Sequence, residues 1–174
     1  MLKAQDSLLA LKYWSMRREG GQLAMRDLAE VLGFSASEVS KAAKRLVVSG
    51  LLVERDGLYF AETRALSEWL CFGLRYALPP KVSGFGRGMG TAWNCDLVKS
   101  PIVPPSPAFI WPMPGGEQEG VFVEPIYQSV PLAASKDVLL YQALALVDAV
   151  RLGKPRELAI ARESLTALLS AKSL

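Results

Sequence analysis

The feature that most restricts how this chain can fold lies in residues 28–60, where a glycine separates two short helical patterns. The first pattern carries apolar residues at helical spacing and stops at Gly33, which readily adopts the positive φ that a tight turn between helices needs. Ser35 and Glu38 then fit a capping box, in which the hydroxyl accepts from the first turn and the carboxylate reaches back to the cap. We therefore expect a second helix that begins at Ala36.

This second helix is amphipathic and is followed by a hairpin. Its apolar positions lie on one face, at Val39, Ala43 and Leu46. Two strand-like runs follow and are joined by Asp56 and Gly57, a strong signal for a two-residue hairpin turn. Helix, turn, helix and hairpin in this order define the winged helix-turn-helix module, whose second helix most often lies in the major groove of DNA.

The side chains expected to contact DNA are the polar ones at the start and on the open side of the second helix, with one arginine from the hairpin. They are Ser35, Ser37, Ser40, Lys41, Lys44, Arg45 and Arg55. Between residues 35 and 55, four basic residues oppose two acidic ones, which is a modest excess for binding phosphates. Useful affinity is therefore expected of a dimer that reads two half-sites about one helical turn apart. The same module also serves as a protein-interaction or dimerisation domain, and the residues alone leave that alternative open.

Composition places the chain among well-cored globular proteins. Of its 174 residues, 51% are hydrophobic and 21% charged, and the net charge of +3 permits nucleic acid as a partner without requiring it. There is no run of about 18 uncharged apolar residues and no signal-peptide pattern, so we expect a cytoplasmic protein with no membrane partner. The only two cysteines, Cys71 and Cys95, suit a reducing compartment and are expected to be packing thiols.

The absence of histidine excludes several kinds of catalytic site. Ser-His-Asp and Cys-His arrangements, an imidazole base and a mixed Cys/His zinc site are ruled out, and the carboxylates form no convincing acid/base pair. The glycine-rich run at residues 84–90 lacks the strand before it and the helix after it that a dinucleotide site requires, so we predict a flexible or tightly turned loop. The sequence therefore predicts no enzyme, no metal and no cofactor.

Two further helices are predicted around this module. Residues 2–18 carry a belt of apolar residues too broad for a helix that only lies on a small domain, which indicates a helix used for both core and dimer contacts. Residues 63–78 predict another helix, with Thr63 as its cap and Phe72 as a further candidate for its apolar face.

The second half of the chain begins with residues 79–135, which hold ten of the eleven prolines and seven of the fourteen glycines, as a linker would. The aromatic side chains in this segment argue against a linker, because each could bury about 150–250 Å². We predict an ordered, irregular segment with a hairpin formed by residues 108–111 and 121–127. After it, residues 137–152 and 156–171 predict a helical hairpin that either docks a partner or closes the core.

These patterns predict a fold that is mainly α with small β. The expected divisions are a winged helix-turn-helix DNA-binding domain at 1–62, a connecting helix with the Pro/Gly/aromatic-rich segment at 63–135, and a C-terminal helical hairpin at 136–174.

The N-terminal third resembles bacterial winged helix-turn-helix regulators of the MarR and ArsR type. The matching positions are Leu28-Ala29, Val39-Ser40, Leu46, Gly50-Leu51 and Asp56-Gly57. The remainder resembles a set of little-characterised bacterial regulators with a C-terminal extension, at Arg75-Tyr76-Ala77-Leu78-Pro79, Thr91-Ala92, Trp111-Pro112 and Glu124-Pro125-Ile126-Tyr127. In that group a proline usually precedes the Thr-Ala pair, where this chain has Gly90. The resemblance implies DNA-binding transcriptional regulation.

The sequence therefore predicts a cytoplasmic, homodimeric transcriptional regulator, most simply a repressor, that reads a palindromic site in double-stranded DNA through helix 36–49 and the wing. Two alternatives stay open. The chain could be an antitoxin-like partner whose C-terminal part clasps another protein. It could also be a small-molecule sensor, with Trp93, Trp111 and Tyr127 forming the ligand or partner surface.

Overall fold

The computed structural model of the protein describes residues 1–171, and its N-terminal elements form a winged helix-turn-helix. These elements are α1 (Ala4–Arg18), α2 (Met25–Leu32), α3 (Ala36–Val48), β1 (Leu52–Arg55) and β2 (Leu58–Ala61). Gly33 ends α2 with a φ of 66°, and Asp56 and Gly57 join the antiparallel strands with φ values of 52° and 77°. Positive φ at both central residues is typical of the type I′ turn of a two-residue hairpin. The mainly α fold with small β, predicted from the sequence, is confirmed.

The cap of α3 differs in part from the predicted capping box. The Ser35 hydroxyl accepts a hydrogen bond from the Glu38 backbone N–H, at 3.1 Å between Oγ and N. The Glu38 carboxylate does not complete the box; it accepts from the side chains of Arg45 and Gln5. A guanidinium is a charge-assisted donor and therefore competes well against a neutral backbone N–H.

A helix with a π-helical turn follows the wing. Its parts are α4 (Thr63–Glu68), the π turn Trp69–Gly73 and α5 (Leu74–Ala77). The predictions of Thr63 as the cap and of Phe72 in the apolar face are wrong, since the cap is Glu62 and Phe72 is 58% exposed. A π turn holds one more residue than an α turn, so a pattern drawn at regular helical spacing places Phe72 on the incorrect side.

Residues 79–135 contain a three-stranded sheet and not the predicted hairpin. The strands are β3 (Val82–Gly90), β4 (Ala108–Pro112) and β5 (Gln118–Val123). β3 pairs antiparallel with both β4 and β5, and β4 and β5 pair parallel with each other, so the three strands form a closed ring. The hairpin prediction is wrong because two strands that both run antiparallel to a third must run in the same direction.

The glycine-rich run at residues 84–90 belongs to β3 and is not the loop that the sequence predicted. Its glycines let the strands approach closely, because a Cβ at Gly88 would overlap the carbonyl oxygen of Trp111. On the neighbouring strand, a Cβ at Gly120 would overlap the carbonyl oxygen of Ala108. Glycine is uncommon inside strands but marks places where another backbone comes close. The run therefore serves the packing of the sheet.

Three helices complete the chain. They are α6 (Val130–Ser135), α7 (Val138–Leu152) and α8 (Pro155–Ser170). Asp137 caps α7 by accepting from the Leu140 N–H at 2.8 Å, and α7 packs along α8 in a helical hairpin. Residues 172–174, the end of the predicted C-terminal unit, lie outside the described residues. No helix within residues 1–171 is both long and apolar enough to cross a membrane.

Helix α1 lies at the centre of the hydrophobic core. Leu8, Leu9 and Leu11 are fully buried, and α1 contacts α3, β2 and α7. Trp14 is also buried, and its indole Nε1 donates to the Leu169 carbonyl of α8 at 3.1 Å. The apolar belt that was expected to need a second copy is therefore covered by other parts of the same chain, so the belt is no evidence for a dimer.

Candidate nucleic-acid interface

The open face of α3 is a narrow row of exposed side chains. Ser37, Lys41, Lys44 and Val48 are exposed and recur at intervals of three or four residues, so they share one face of the helix. We call these four residues the α3 stripe. The opposite face of α3 is buried in the core, and Ser40 lies at the edge of the stripe and is half-buried. The predicted DNA contacts include the two lysines and Ser37 but not Val48, which is 89% exposed.

Arg45 does not join the α3 stripe. It lies on the flank of α3 that faces α1, where its Nε and Nη2 donate to the two carboxylate oxygens of Asp6 at 2.9 and 2.7 Å. Nη2 also donates to Glu38 at 2.7 Å. The pKa of Arg45 is raised mainly by its hydrogen bonds to Asp6 and, to a smaller extent, by its hydrogen bond to Glu38. The pKa of Glu38 is lowered by the hydrogen bonds that it accepts from Arg45 and Gln5.

The charge offered to solvent follows from this pairing. Arg45 is shared between the carboxylates of Asp6 and Glu38, which leaves Lys41, Lys44 and Arg55 as the exposed cations between residues 35 and 55, opposed by Glu54. Within residues 1–171, neither lysine of the stripe forms an ion pair. Two exposed ammonium groups on an otherwise uncharged stripe are suited to contact phosphates or base edges.

The remaining predicted contacts lie at the two ends of the module. Ser35 is exposed at the start of α3, where its hydroxyl oxygen serves the cap and its own proton can still be donated. Arg55 is exposed at the end of β1, opposite Leu58 at the base of the hairpin turn. The structure thus brings five of the seven predicted residues onto or beside the open side of α3, puts Arg55 on the wing and holds Arg45 against α1.

The comparison with known protein families agrees with this geometry. Residues 15–57 match the model described as MarR family, from the last turn of α1 to the tip of the wing. This part of the N-terminal domain is similar to MarR-family regulators. That similarity supports a DNA-binding transcriptional regulator in general, and regulators of this family are generally not enzymes. No curated protein and no solved structure matches the chain.

Beside the wing lies a cleft of about 560 Å³. Its walls are the end of α1, the segment before α2 and the wing, and its lining includes Tyr13, Arg17, Leu23, Leu58 and Phe60. The Arg17 guanidinium lies 5.8 Å from the centre of the Phe60 ring, and the rings of Tyr13 and Tyr59 are 5.9 Å apart. Burial, with a smaller effect of Tyr59, raises the pKa of Tyr13 to about 12. Sequence reasoning missed this cleft because nothing local shows that the end of α1 meets the wing.

The three aromatic residues proposed for a ligand or partner surface do not share a pocket. Trp93 is 7% exposed and lines a small cavity of about 90 Å³ that neither of the other two reaches. Trp111 is 1% exposed, and its Nε1 donates to Asp148 at 2.6 Å. Tyr127 packs edge-on against Phe34, in the turn before α3, with the ring centres 5.3 Å apart. Two of them are core residues, and Tyr127 braces the turn between α2 and α3.

Buried polar groups join the winged helix-turn-helix to the rest of the chain. Lys12 on α1 donates to Asp137 at the start of α7 at 2.6 Å, and Ser15 donates to the same oxygen at 2.7 Å. Burial alone would raise the pKa of Asp137, but the hydrogen bonds from Lys12, Leu140 N–H and Ser15 lower it overall. The position of α1, and with it that of α3, is thereby tied to the C-terminal helices.

Proposed function

We propose that the protein is a homodimeric transcriptional repressor that reads a palindromic DNA site through the α3 stripe, with Arg55 on the wing contacting the backbone or the minor groove. The observation that carries the proposal is the pair Lys41 and Lys44 on the open face of the recognition helix of a domain similar to MarR-family regulators. Ser37 and Ser40 add hydrogen-bonding groups at the same face, suited to base edges or phosphates.

The dimer is proposed because one protomer presents few cations. Affinity for DNA depends on the number of phosphates neutralised, and two copies double that number while fitting the two-fold symmetry of a palindrome. The surfaces of α1 and α7 are buried within the protomer and are not offered as the interface. Phe72 and Tyr76, 58% and 75% exposed and one turn apart after the wing, are the candidates for that contact.

Binding to fragmented DNA of its own genome tests the proposal. The protein is incubated with the fragments at two salt concentrations, and the retained DNA is sequenced. We expect a few enriched sites with two-fold symmetry, lost in a Lys41→Ala/Lys44→Ala variant and kept in Lys99→Ala, an exposed lysine outside the module. If all DNA fragments were retained equally, without enriched sites, the proposal of a site-specific repressor would be refuted. If no DNA were retained, DNA binding itself would be refuted.

A second candidate is regulation of this DNA binding by a small molecule held in the cleft beside the wing. The cleft is within the range of small-molecule sites, and its walls include wing residues that a ligand would displace or fix. A compound library screened by thermal shift would test it, with Leu58→Trp as the matched variant that narrows the cleft. Support requires compounds that stabilise the parent, fail to stabilise the variant and change the affinity of the parent for DNA.

A further inference from the structure

Arg45 forms a bidentate ion pair with a carboxylate on another helix and does not extend freely into solvent. Its guanidinium makes a two-bond fork with Asp6, which is fully buried in the first turn of α1. Asp6 is held in turn by the backbone N–H of Lys3, which donates to Oδ2 at 2.8 Å. A planar fork on a carboxylate fixes direction as well as distance, which an ammonium group cannot do.

The helix that carries Asp6 is held by contacts to several other elements. α1 is pinned by the Lys12–Asp137 ion pair, and Trp14 donates to the Leu169 carbonyl. Trp69 Nε1 also donates to Ser7 Oγ, next to Asp6, at 3.0 Å. Asp6 therefore gives α3 a reference point that is joined to both the α7–α8 hairpin and the helix after the wing.

We propose that Arg45 is a positioning residue that fixes the rotation of α3 through Asp6 and so controls discrimination between DNA sequences, without contacting DNA. This inference rests on the proposed DNA-binding function. Side chains of a helix end about 5–6 Å from its axis, so a roll of about 10° moves the tips of the α3 stripe by about 1 Å. Such a shift breaks a hydrogen bond to a base edge, whereas the attraction of a lysine for phosphate changes little over the same distance.

Asp6→Asn is the decisive variant, because Asp6 is buried on another helix and cannot reach DNA. Arg45→Lys is its partner: it keeps the positive charge, as a phosphate contact would require, but loses the fork. Both variants and the parent are titrated with a selected site and with unrelated DNA over a range of salt concentrations. Circular dichroism and thermal melting verify that each variant is folded.

We expect both variants to lower the ratio of specific to non-specific affinity by about tenfold, the loss that one misread base pair produces. Non-specific affinity should stay near that of the parent. The double variant Arg45→Met/Asp6→Asn removes one positive and one negative charge, so the net charge of the protein is unchanged. It should keep the parent's slope of log K against log salt, because no phosphate contact is lost. Amide hydrogen exchange in α3 should be faster in DNA-free Asp6→Asn than in the parent.

Three results would overturn the inference. One is a ratio of specific to non-specific affinity in Asp6→Asn equal to that of the parent, together with unchanged amide hydrogen exchange in α3. Another is a slope of log K against log salt that becomes shallower by about 0.9 per subunit in the double variant, since that change is the signature of a lost phosphate contact. The last is retained specificity in Arg45→Lys. If the parent protein binds no DNA, the proposed function is refuted instead. In that case, amide hydrogen exchange in Asp6→Asn that equals that of the parent would also refute the positioning role of Arg45.

Discussion

Replacing Lys12 with Met should destabilise the protein strongly, because Lys12 and Asp137 form a buried ion pair between α1 and α7. The Nζ–Oδ2 distance is 2.6 Å, and the two side chains are only 7% and 2% exposed. Removing one partner of such a pair leaves the other charge buried and costs about 3–5 kcal/mol. Against a typical total stability of about 5–15 kcal/mol, that loss is large enough to measure by urea unfolding followed by circular dichroism.

A double-mutant cycle and a variant of an exposed ion pair serve as controls for Lys12→Met. Asp137→Asn keeps a residue that caps helices well but leaves Lys12 without its counter-charge, so the double variant with Lys12→Met should lose less than the sum of the two single losses. Arg64→Met removes an ion pair whose side chains are 90% and 65% exposed and should change the free energy of unfolding by about 0.5 kcal/mol or less. A loss below about 1 kcal/mol for Lys12→Met would refute the buried pair and the docking of α7 on α1.

The same pair gives the protein an acid dependence of known sign. The pKa of Asp137 is lower in the folded protein than in the unfolded chain, so its stabilisation is complete above the ordinary carboxyl pKa of about 3.9. That stabilisation is lost as the pH falls through the lowered folded value. In Lys12→Met, burial without the counter-charge favours the protonated carboxyl, so the difference in unfolding free energy between the parent and the variant should be largest at neutral pH and shrink on acidification. A difference that grows on acidification would contradict the assignment.

Three further predictions concern the cleft, the sheet and the middle segment. The pKa of Tyr13 in the folded protein is raised to about 12, so the stabilisation that it contributes is complete below its ordinary pKa of about 10 and is lost between these two values. In an ultraviolet titration of tyrosine ionisation, the step near pH 12 should be absent from Tyr13→Phe and present in Tyr76→Phe. Gly88→Ala should lower the free energy of unfolding by about 1–3 kcal/mol, because the new methyl group overlaps the backbone of β4, and an unchanged melting curve would contradict the closed ring of strands. Limited proteolysis should spare residues 79–135 apart from the exposed turn around residues 114–117, whereas rapid cutting throughout would show a linker.

The sequence predicted those features that depend on neighbouring residues. Gly33 ends α2 and Ser35 caps α3, because helix termini are set within a few residues, and Asp56 with Gly57 sets the wing turn. The hydrophobic spacing of α3 also identified which lysines face outward, because that face follows from helical periodicity alone.

The features that were not predicted depend on residues far apart in the chain. Arg45 looked like a DNA contact because Asp6, its partner, lies 39 positions away. The order of strands in residues 79–135 depends on which backbone approaches the glycines of β3, and spacing carries no such information. The belt of α1 suggested a dimer because the covering helices α7 and α8 come from the other end of the chain. Local patterns therefore give the elements and their faces, whereas partners across the core require the structure.

Whether the α3 stripe contacts DNA can be decided by the salt dependence of binding in variants that each lack one lysine. The affinity for a selected site is measured over a range of salt concentrations for the parent, Lys41→Ala, Lys44→Ala and the control Lys99→Ala. We expect each stripe variant to bind more weakly and to make the negative slope of log K against log salt shallower by about 0.9 per subunit, with the control unchanged. Stripe variants that bind like the parent at every salt concentration would contradict the assignment of α3 as the recognition helix.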